Sequence, residues 1–459
     1  DVNEDYHFGF YDEQTREWDE IAYNAPHYLI VMSAGNDRND EVANGTEHWV
    51  WNTVINDWDL STDSRDPDGP WDCISYHKIC KNVLTVGAVN DIENGYENPG
   101  DVSISSFSSY GPVDDGRIKP DIVANGVGLF SSVSTGDQDY ESYSGTSMSA
   151  PSVTGSLVLF QEMYKIMNDT FLLAATLKAL AVHSADEAGN AGGPDYRFGW
   201  GLMNTARAVD LIQRNGNGHL ISEEYLAPGD SIELSVYSDG MVPLRATISW
   251  TDPPGIPPLP SLNPQDIMLV NDLDLRIIGE DGTIYFPWIL DPNNPGDAAT
   301  TGDNIVDNVE QVLIFDPEPG NYTIRIWHKR NIDDGQAFGL VLSFGTSGPM
   351  TFYVSPEGND DTGDGSEENP FSSIQKAVDE SISRDTILVA PGTYNGSIEI
   401  NSKGIILASH FIHSDDETYI AGTVLTNNEP NPILYLHQTG TAMVVKGFTF
   451  SFGALYGDN

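Results

Sequence analysis

Ser144-Gly-Thr-Ser-Met-Ser-Ala-Pro151 is the stretch whose residue types and spacing point most directly to chemistry. A serine hydroxyl attacks poorly unless a base takes its proton and donors stabilise the oxyanion that forms. Ser147 falls where a helix is expected to begin. Its backbone N–H then points out of the helix end, with the positive end of the helix dipole behind it. Gly145 leaves room for a substrate backbone, and Ser149 and Ala150 let the helix pack deeply. Alone, a serine-rich helix start is more often a cap than a nucleophile. A second stretch, Ser33-Ala-Gly-Asn-Asp37, follows an apolar run and carries a side-chain amide donor, Asn36. Gly-Asn-Asp alone is also an ordinary turn.

The elements that must position these residues read as alternating strands and helices over residues 1–218. Residues 28–32 and 83–89 are continuous apolar runs of strand length, as expected in a buried parallel sheet. Residues 12–24 read as a helix, with Trp18, Ile21 and Ala22 at helical spacing and Pro26 stopping it. Residues 149–164 and 171–183 read as buried helices. The alternation predicts an α/β layer architecture. Helical periodicity then vanishes. Residues 219–346 hold short alternating runs at 231–236, 244–250, 273–277, 283–286, 311–315, 322–327 and 338–344, the pattern of an antiparallel β-sandwich. Residues 347–351 read as a linker. Beyond it come one amphipathic helix at 372–382 and very short β runs at 386–389, 398–400, 405–407, 433–436, 442–445 and 448–450. That pattern predicts stacked solenoid rungs. The expected domains are therefore 1–218, 219–346 and 347–459.

Acidic residues number 69 and basic residues 21 of 459, for a formal net charge of −48 spread over both halves of the chain. This argues against nucleic acid and against an anionic membrane surface as partners. Solubility in a saline medium, calcium binding and repulsion from acidic proteins all remain compatible with it. No run of 18 apolar residues exists, so no membrane-spanning helix is expected. Cys73 and Cys80 are open to two readings, a local disulfide or two core thiols. Without paired histidines nearby they make no convincing zinc site.

Taken together, the motifs resemble the subtilisin-like serine proteases (subtilases). The resemblance rests on Ser33–Asp37, Val83-Leu-Thr-Val-Gly-Ala-Val89, Ser105-Ser-Phe-Ser-Ser-Tyr-Gly111 with Lys119-Pro-Asp-Ile-Val-Ala124, the Ser147 segment, and Phe198-Gly-Trp-Gly-Leu-Met-Asn204, in that order. It implies that Ser147 is the nucleophile and that Asn36 donates to the oxyanion with the Ser147 N–H. It also implies that Ser33, Ala34, Gly35, Gly145 and Thr146 bind substrate, a protein or peptide, with no cofactor needed for the chemistry. The sequence departs from the family before the oxyanion asparagine, where the substrate-pairing strand is also missing, and in a smaller way at Asn125, where the family usually has Pro. The Asp and His segments that precede the oxyanion asparagine in subtilases are absent. His7 and His48 lack the matching context, and His183, His410, His413 and His437 follow the nucleophile. The expectation is an N-terminally truncated sequence of a secreted protein, with the triad Asp and His upstream and the 459 residues alone inactive.

Residues 219–346 resemble the jelly-roll-like sandwich that follows some secreted subtilase domains, through Leu226-Ala-Pro-Gly-Asp230, Ser249-Trp-Thr-Asp252, Val270-Asn-Asp-Leu-Asp-Leu275 and Pro319-Gly-Asn-Tyr-Thr323. The resemblance adds a structural calcium as an expectation, with Asp272, Asp274, Asp303 and Asp307 as candidate ligands. Solvated strand-edge acids are the plainer reading of the same residues. Residues 352–459 resemble the start of a right-handed parallel β-helix of the pectate-lyase-like type, through Tyr353–Asn359, Asn369–Val378 and Ile387–Tyr394. This predicts a glycan- or cell-surface-polymer-binding module, with an inert spacer as the second reading, cut short at its uncapped C-terminal end. Residues 359–364 are a weaker calcium candidate. Two other functions compete with the peptidase: a non-catalytic extracellular scaffold on a degenerate protease fold, and a polysaccharide-active enzyme.

Overall fold

The computed structural model describes residues 6–39, 45–52, 54–55, 57–62, 70–329, 332, 334–345, 350–381, 385–401, 403–428, 431–437, 443–451 and 455–457. The chain divides into two compact units, residues 1–346 and 347–459. The α/β part and the sandwich therefore lie within one unit.

At the centre of the first unit is a three-stranded parallel sheet, Val31–Ser33, Leu84–Val89 and Ile122–Asn125 in that order. The middle strand is buried along its whole length, which is why it reads as unbroken apolar sequence. Helix α1 (Glu13–Tyr23) is capped by Asp12, whose carboxylate accepts from Thr15 N–H. Its inward face is Thr15, Asp19 and Ala22, and Ile21 points to solvent, contrary to the expected face. Asp19 is needed inside because it accepts from the N–H groups of Lys81 and Asn82 and from the Tyr11 hydroxyl. Helices α2 (Thr146–Asn168), α3 (Ala174–Ser184) and α4 (Thr205–Gln213) follow the sheet. Leu84, Val86, Ile122, Val153, Phe160 and Leu180 build one core with them.

The sandwich consists of two four-stranded antiparallel sheets. One orders Val309–Ile314, Leu244–Trp250, Gln336–Ser343 and His219–Leu226; the other orders Ile284–Tyr285, Leu273–Gly279, Gly320–His328 and Ser231–Ser238. His219–Leu226 was not among the expected strands; its Ser-Glu-Glu centre hides the alternation. The first sheet lies against α3, and Ile221 and Val341 join the core of the α/β layers. Lys81 and Asp252, both fully buried, form an ion pair across this junction, and Lys81 also donates to the carbonyls of Pro253 and Met268.

The second unit contains three parallel sheets. Each pass of the chain adds one strand to each: Thr386–Val389, Gly392–Asn395 and Ile398–Asn401, then Ile406–Ser409, Thr423–Thr426 and Leu434–His437. A third pass supplies Val444–Lys446, Thr449–Ser451 and Leu455–Gly457, and Thr351–Val354 starts the first sheet. Helix α5 (Ile374–Glu380), capped by Ser373, turns Ile374, Ala377 and Val378 into a core with Ile387, Ile400 and Leu407.

Candidate active site

Ser147 is the second residue of α2 and is exposed. The residue before the helix, Gly145, has φ of +155° and packs its N–H against the Gly126 carbonyl at 2.8 Å. A Cβ there would sit 3.3 Å from Asn36 Nδ2, tight for any side chain. The glycine is thus what lets the Asn36 amide approach the start of α2.

Asn36 lies just past the strand Val31–Ser33 and is likewise exposed. Its Oδ1 accepts from Thr146 N–H at 3.0 Å and from Thr146 Oγ1 at 2.9 Å. A backbone N–H can only donate, so it fixes which end of the Asn36 side chain faces it. The amide NH2 must then face away, beside Gly145. The N-terminal amides of a helix have no partner inside it. Thr146 N–H is taken by Asn36, and Met148 N–H by the Gly145 carbonyl at 2.9 Å. Among the described residues the Ser147 N–H and the Asn36 NH2 remain as uncommitted donors next to an exposed hydroxyl. Two such donors at a helix N-terminus can stabilise negative charge that develops on an oxygen bound there.

Thr146, expected among the substrate-binding residues, is 1% exposed and acts from behind. Its hydroxyl donates to Asn36 and accepts from Gly35 N–H at 3.2 Å, tying both to α2. Ala34 is fully buried and donates its N–H to the Val86 carbonyl, and Ser33 ends the strand. Gly35 has φ of +117° and is hemmed in by Asp37, Ser109 and Lys78. Ser109 supports this turn twice, donating its N–H to the Gly35 carbonyl and accepting from Asp37 N–H, both at 2.9 Å. Ser105–Gly111 had been recognised as a motif, but nothing in its composition assigned Ser109 this bracing role.

A further brace is buried behind the sheet. Asp121 accepts from Lys119 Nζ at 2.6 Å, Lys178 Nζ at 2.8 Å and Thr85 N–H at 2.7 Å. Burial pushes the Lys119 ammonium down to about 8, partly offset by Asp121; burial opposes the Asp121 charge, but the two lysines hold its carboxyl below the usual value. The Asp121 side chain thereby joins the central strand to α3.

All ten histidines are described, and none hydrogen-bonds to Ser147. His27 bonds the Leu172 carbonyl, His48 the Thr46 carbonyl, and His77 stacks on Trp18. His183 is buried between Thr247 and Ser343, and burial drives its pKa well below the ordinary value.

The calcium candidates do not converge on one point. Asp274 and Asp303 both pair with Arg276 and Lys329, whereas Asp307 accepts from Ile118 N–H and Asn304. Among the described residues no group of three or more His, Cys, Asp or Glu is arranged to hold a metal. Cys73 and Cys80 are both free and buried, which decides between the two readings. Burial pushes the Cys73 thiol up to about 11 and that of Cys80 well above its usual value, so both stay protonated.

A helix-borne serine at the end of a parallel sheet, with an asparagine amide fixed beside it, is an arrangement that suits a serine nucleophile. Residues 5–201 match the subtilase family, and residues 356–402 match a family described only as a protein of unknown function (DUF1565). The match places a subtilase-family domain within residues 5–201. Among curated proteins, a serine protease/ABC transporter B family protein tagA of Dictyostelium discoideum is 22% identical over 433 residues, 76% of this chain and 24% of its own length. C5a peptidase of Streptococcus pyogenes serotype M18 (strain MGAS8232) is 51% identical over 63 residues, 14% of this chain and 5% of its own. The chain spans about a quarter or less of the length of these relatives. The self-cleaved protease domain of PatA aligns over 45% of this chain and 57% of its own at 21% identity, with a TM-score of 0.31, too low to rest the fold on. Among the described residues no helix is long and apolar enough to cross a membrane.

Proposed function

We propose that the chain is the nucleophile-bearing part of a secreted serine endopeptidase. The observation that supports this best is the orientation of Asn36. Thr146 holds its carbonyl end, so its NH2 and the Ser147 N–H form a donor pair next to the exposed Ser147 hydroxyl. In the reaction, Ser147 Oγ attacks the peptide carbonyl and loses its proton to a histidine base. The carbonyl oxygen becomes the oxyanion that the two donors stabilise. The base then protonates the leaving amine, and water hydrolyses the acyl-serine by the reverse sequence. Ser33 and the backbone at Gly35 and Gly145 line the course of the substrate, and the buried Ala34 and Thr146 hold that wall in place. None of the ten histidines bonds the Ser147 hydroxyl, and no residue of this chain is assigned as the base. No cofactor takes part in the chemistry. Residues 347–459 form a right-handed parallel β-helix that holds a glycan or cell-surface polymer in this reading.

A fluorophosphonate probe tests the peptidase reading. The full-length protein should be labelled at Ser147, and Asn36→Ala should slow peptide hydrolysis by about 10²–10³-fold. The 459 residues alone should hydrolyse peptides at background rate. A full-length protein that carries an intact Asp and His yet is never labelled at Ser147 would leave the scaffold reading in its place.

A further inference from the structure

The junction between the α/β layers and the sandwich holds two cavities that the Ser147 site does not use, and they share the indole of Trp71. One, of about 360 Å³, is lined by Trp71, Asn190, Asp195, Arg197, Phe198 and Asp297, among others. The second, of about 380 Å³, is lined by Trp71, Asp72, Asp114, Asn263, Gln265 and Asn293, among others. Both volumes fall in the range of small-ligand sites, which favour domain junctions.

The first cavity is walled by backbone. A Cβ on Gly193 would meet three ring atoms of Trp288 at 3.0 Å, and one on Gly189 would meet Asp195 Oδ2 at 2.7 Å. Pro99, Pro194 and Pro295 line it as well. Such walls have few rotamers to collapse, so the space is preformed.

Its polar groups are mixed. Arg197 Nε is buried with no hydrogen-bond partner, and the guanidinium lies 4.7 Å from the Trp71 ring centroid. A buried donor left unpaired costs roughly 1–3 kcal/mol, which a ligand acceptor would recover. Against this single cation stand the carboxylates of Asp195 and Asp297, and the second cavity adds Asp72 and Asp114 with three side-chain amides. An anionic ligand would face carboxylates on both sides of Trp71, and a cation would face Arg197. A neutral ligand with many hydroxyls, each both donor and acceptor, satisfies both kinds of partner. Its apolar ring faces suit the part-exposed indole of Trp71. We propose that the paired cavities around Trp71 bind a neutral oligosaccharide, with sugar units on either side of the indole. This site is independent of the peptidase reading.

Isothermal titration of the 459-residue chain with maltotetraose, cellotetraose and tetra-N-acetylchitotetraose tests it. At least one should bind with a Kd at or below about 1 mM. Trp71→Ala and Arg197→Gln should each weaken that binding about tenfold or more, and Ser147→Ala should leave it unchanged. Asn190→Ala, in an exposed loop position, gives a second reading if either of the first two variants fails to fold, and should weaken binding about threefold. Three results overturn the proposal. The first is no binding of any of the three sugars at about 10 mM. The second is sugar binding that survives the folded Trp71, Arg197 and Asn190 variants. The third is tighter, Trp71-dependent binding of tetragalacturonate or of an acidic peptide.

Discussion

Helices α2 and α3 follow one another in the chain and share one core, yet they are treated in opposite ways. The first opens with Ser147 exposed, and it also leaves Val158, Leu159 and Ile166 in solvent. Every residue of α3 from Ala174 to Ser184 is buried, including Lys178, His183 and Ser184. A helix that is apolar all round must be covered all round. The sheet core covers one side of α3, and the sandwich strands Leu244–Trp250 and Gln336–Ser343 cover the other. The sandwich is therefore an outer layer of the α/β unit. The proposed nucleophile sits on the helix with an exposed start, and the fully buried contacts on the other.

The largest way to break this contrast is Asp121→Asn. The change leaves Lys119 and Lys178 buried around a neutral amide. Removing one partner of a buried charge cluster costs about 3–5 kcal/mol. Chemical denaturation should show a loss of that size. A loss below about 1 kcal/mol would mean that the network does not anchor α3 to the sheet.

Gly339→Val tests the other side of α3. A Cβ at this strand position would come within 2.5 Å of Thr176 Cα and 2.8 Å of Thr176 N. Those are helix backbone atoms and cannot swing aside as a side chain could. Overpacking of this kind costs about 1–3 kcal/mol or more. Denaturant unfolding should show the loss, and one transition should carry both layers.

The two helices were also unequally legible. α2 announced itself through Ser144–Pro151, because glycine, threonine and serine at those places each meet a local demand that shows in the residue type. For α3, only the apolar composition was readable. What covered it was not, since Gly339 and Thr176 are 163 positions apart in the chain. Other failures share that cause. Ile21 was placed inward because periodicity counts apolar residues, but Asp19 holds the inward place by accepting from Lys81 and Asn82. Ser109 and Asp121 looked like parts of motifs; their partners, Gly35, Thr85 and Lys178, are set by tertiary contact. The strands of the second unit are legible where β-branched runs are long enough, and Gly392–Asn395 is not because its glycine and asparagine also suit turns.

A gentler test exploits the end of α3. His183 is buried with both ring nitrogens on hydroxyls, Nδ1 on Thr247 and Nε2 on Ser343. Arg245 packs beside it, its Nη1 donating to the His183 carbonyl, and His219 shares the Ser343 hydroxyl. Burial first, then Arg245 and His219, push its pKa well below 6.5. The unfolded chain then binds the proton that the folded chain refuses. Stability is full above the unfolded value and is lost as pH falls below about 6.5, by up to about 1.4 kcal/mol per pH unit. Asp307, raised to about 6 by burial, acts with the opposite sign: it weakens the fold as pH rises from about 4 towards 6. Asp307 is common to the parent chain and a His183 variant, so the difference between their slopes below pH 6.5 reports the histidine. Unfolding free energies in His183→Gln should show a flatter slope there than in the parent chain. His219, whose pKa burial also lowers, supplies the slope that remains.

The smallest expected effect on stability is at the free end of α2. Ser147→Ala removes a hydroxyl that no described residue bonds, at an exposed position, so the unfolding free energy should change by less than about 0.5 kcal/mol. Alanine is also the better helix former, and the cap at this end is made by Gly145 and by Asn36 on Thr146 N–H. Neither involves Ser147 Oγ. A residue kept for packing or capping would not behave this way, since a cap serine replaced by alanine costs about 1 kcal/mol. Loss of fluorophosphonate labelling in the full-length variant, with stability unchanged, would separate nucleophile from cap in a single substitution. A drop of about 1 kcal/mol would instead place Ser147 among the helix caps.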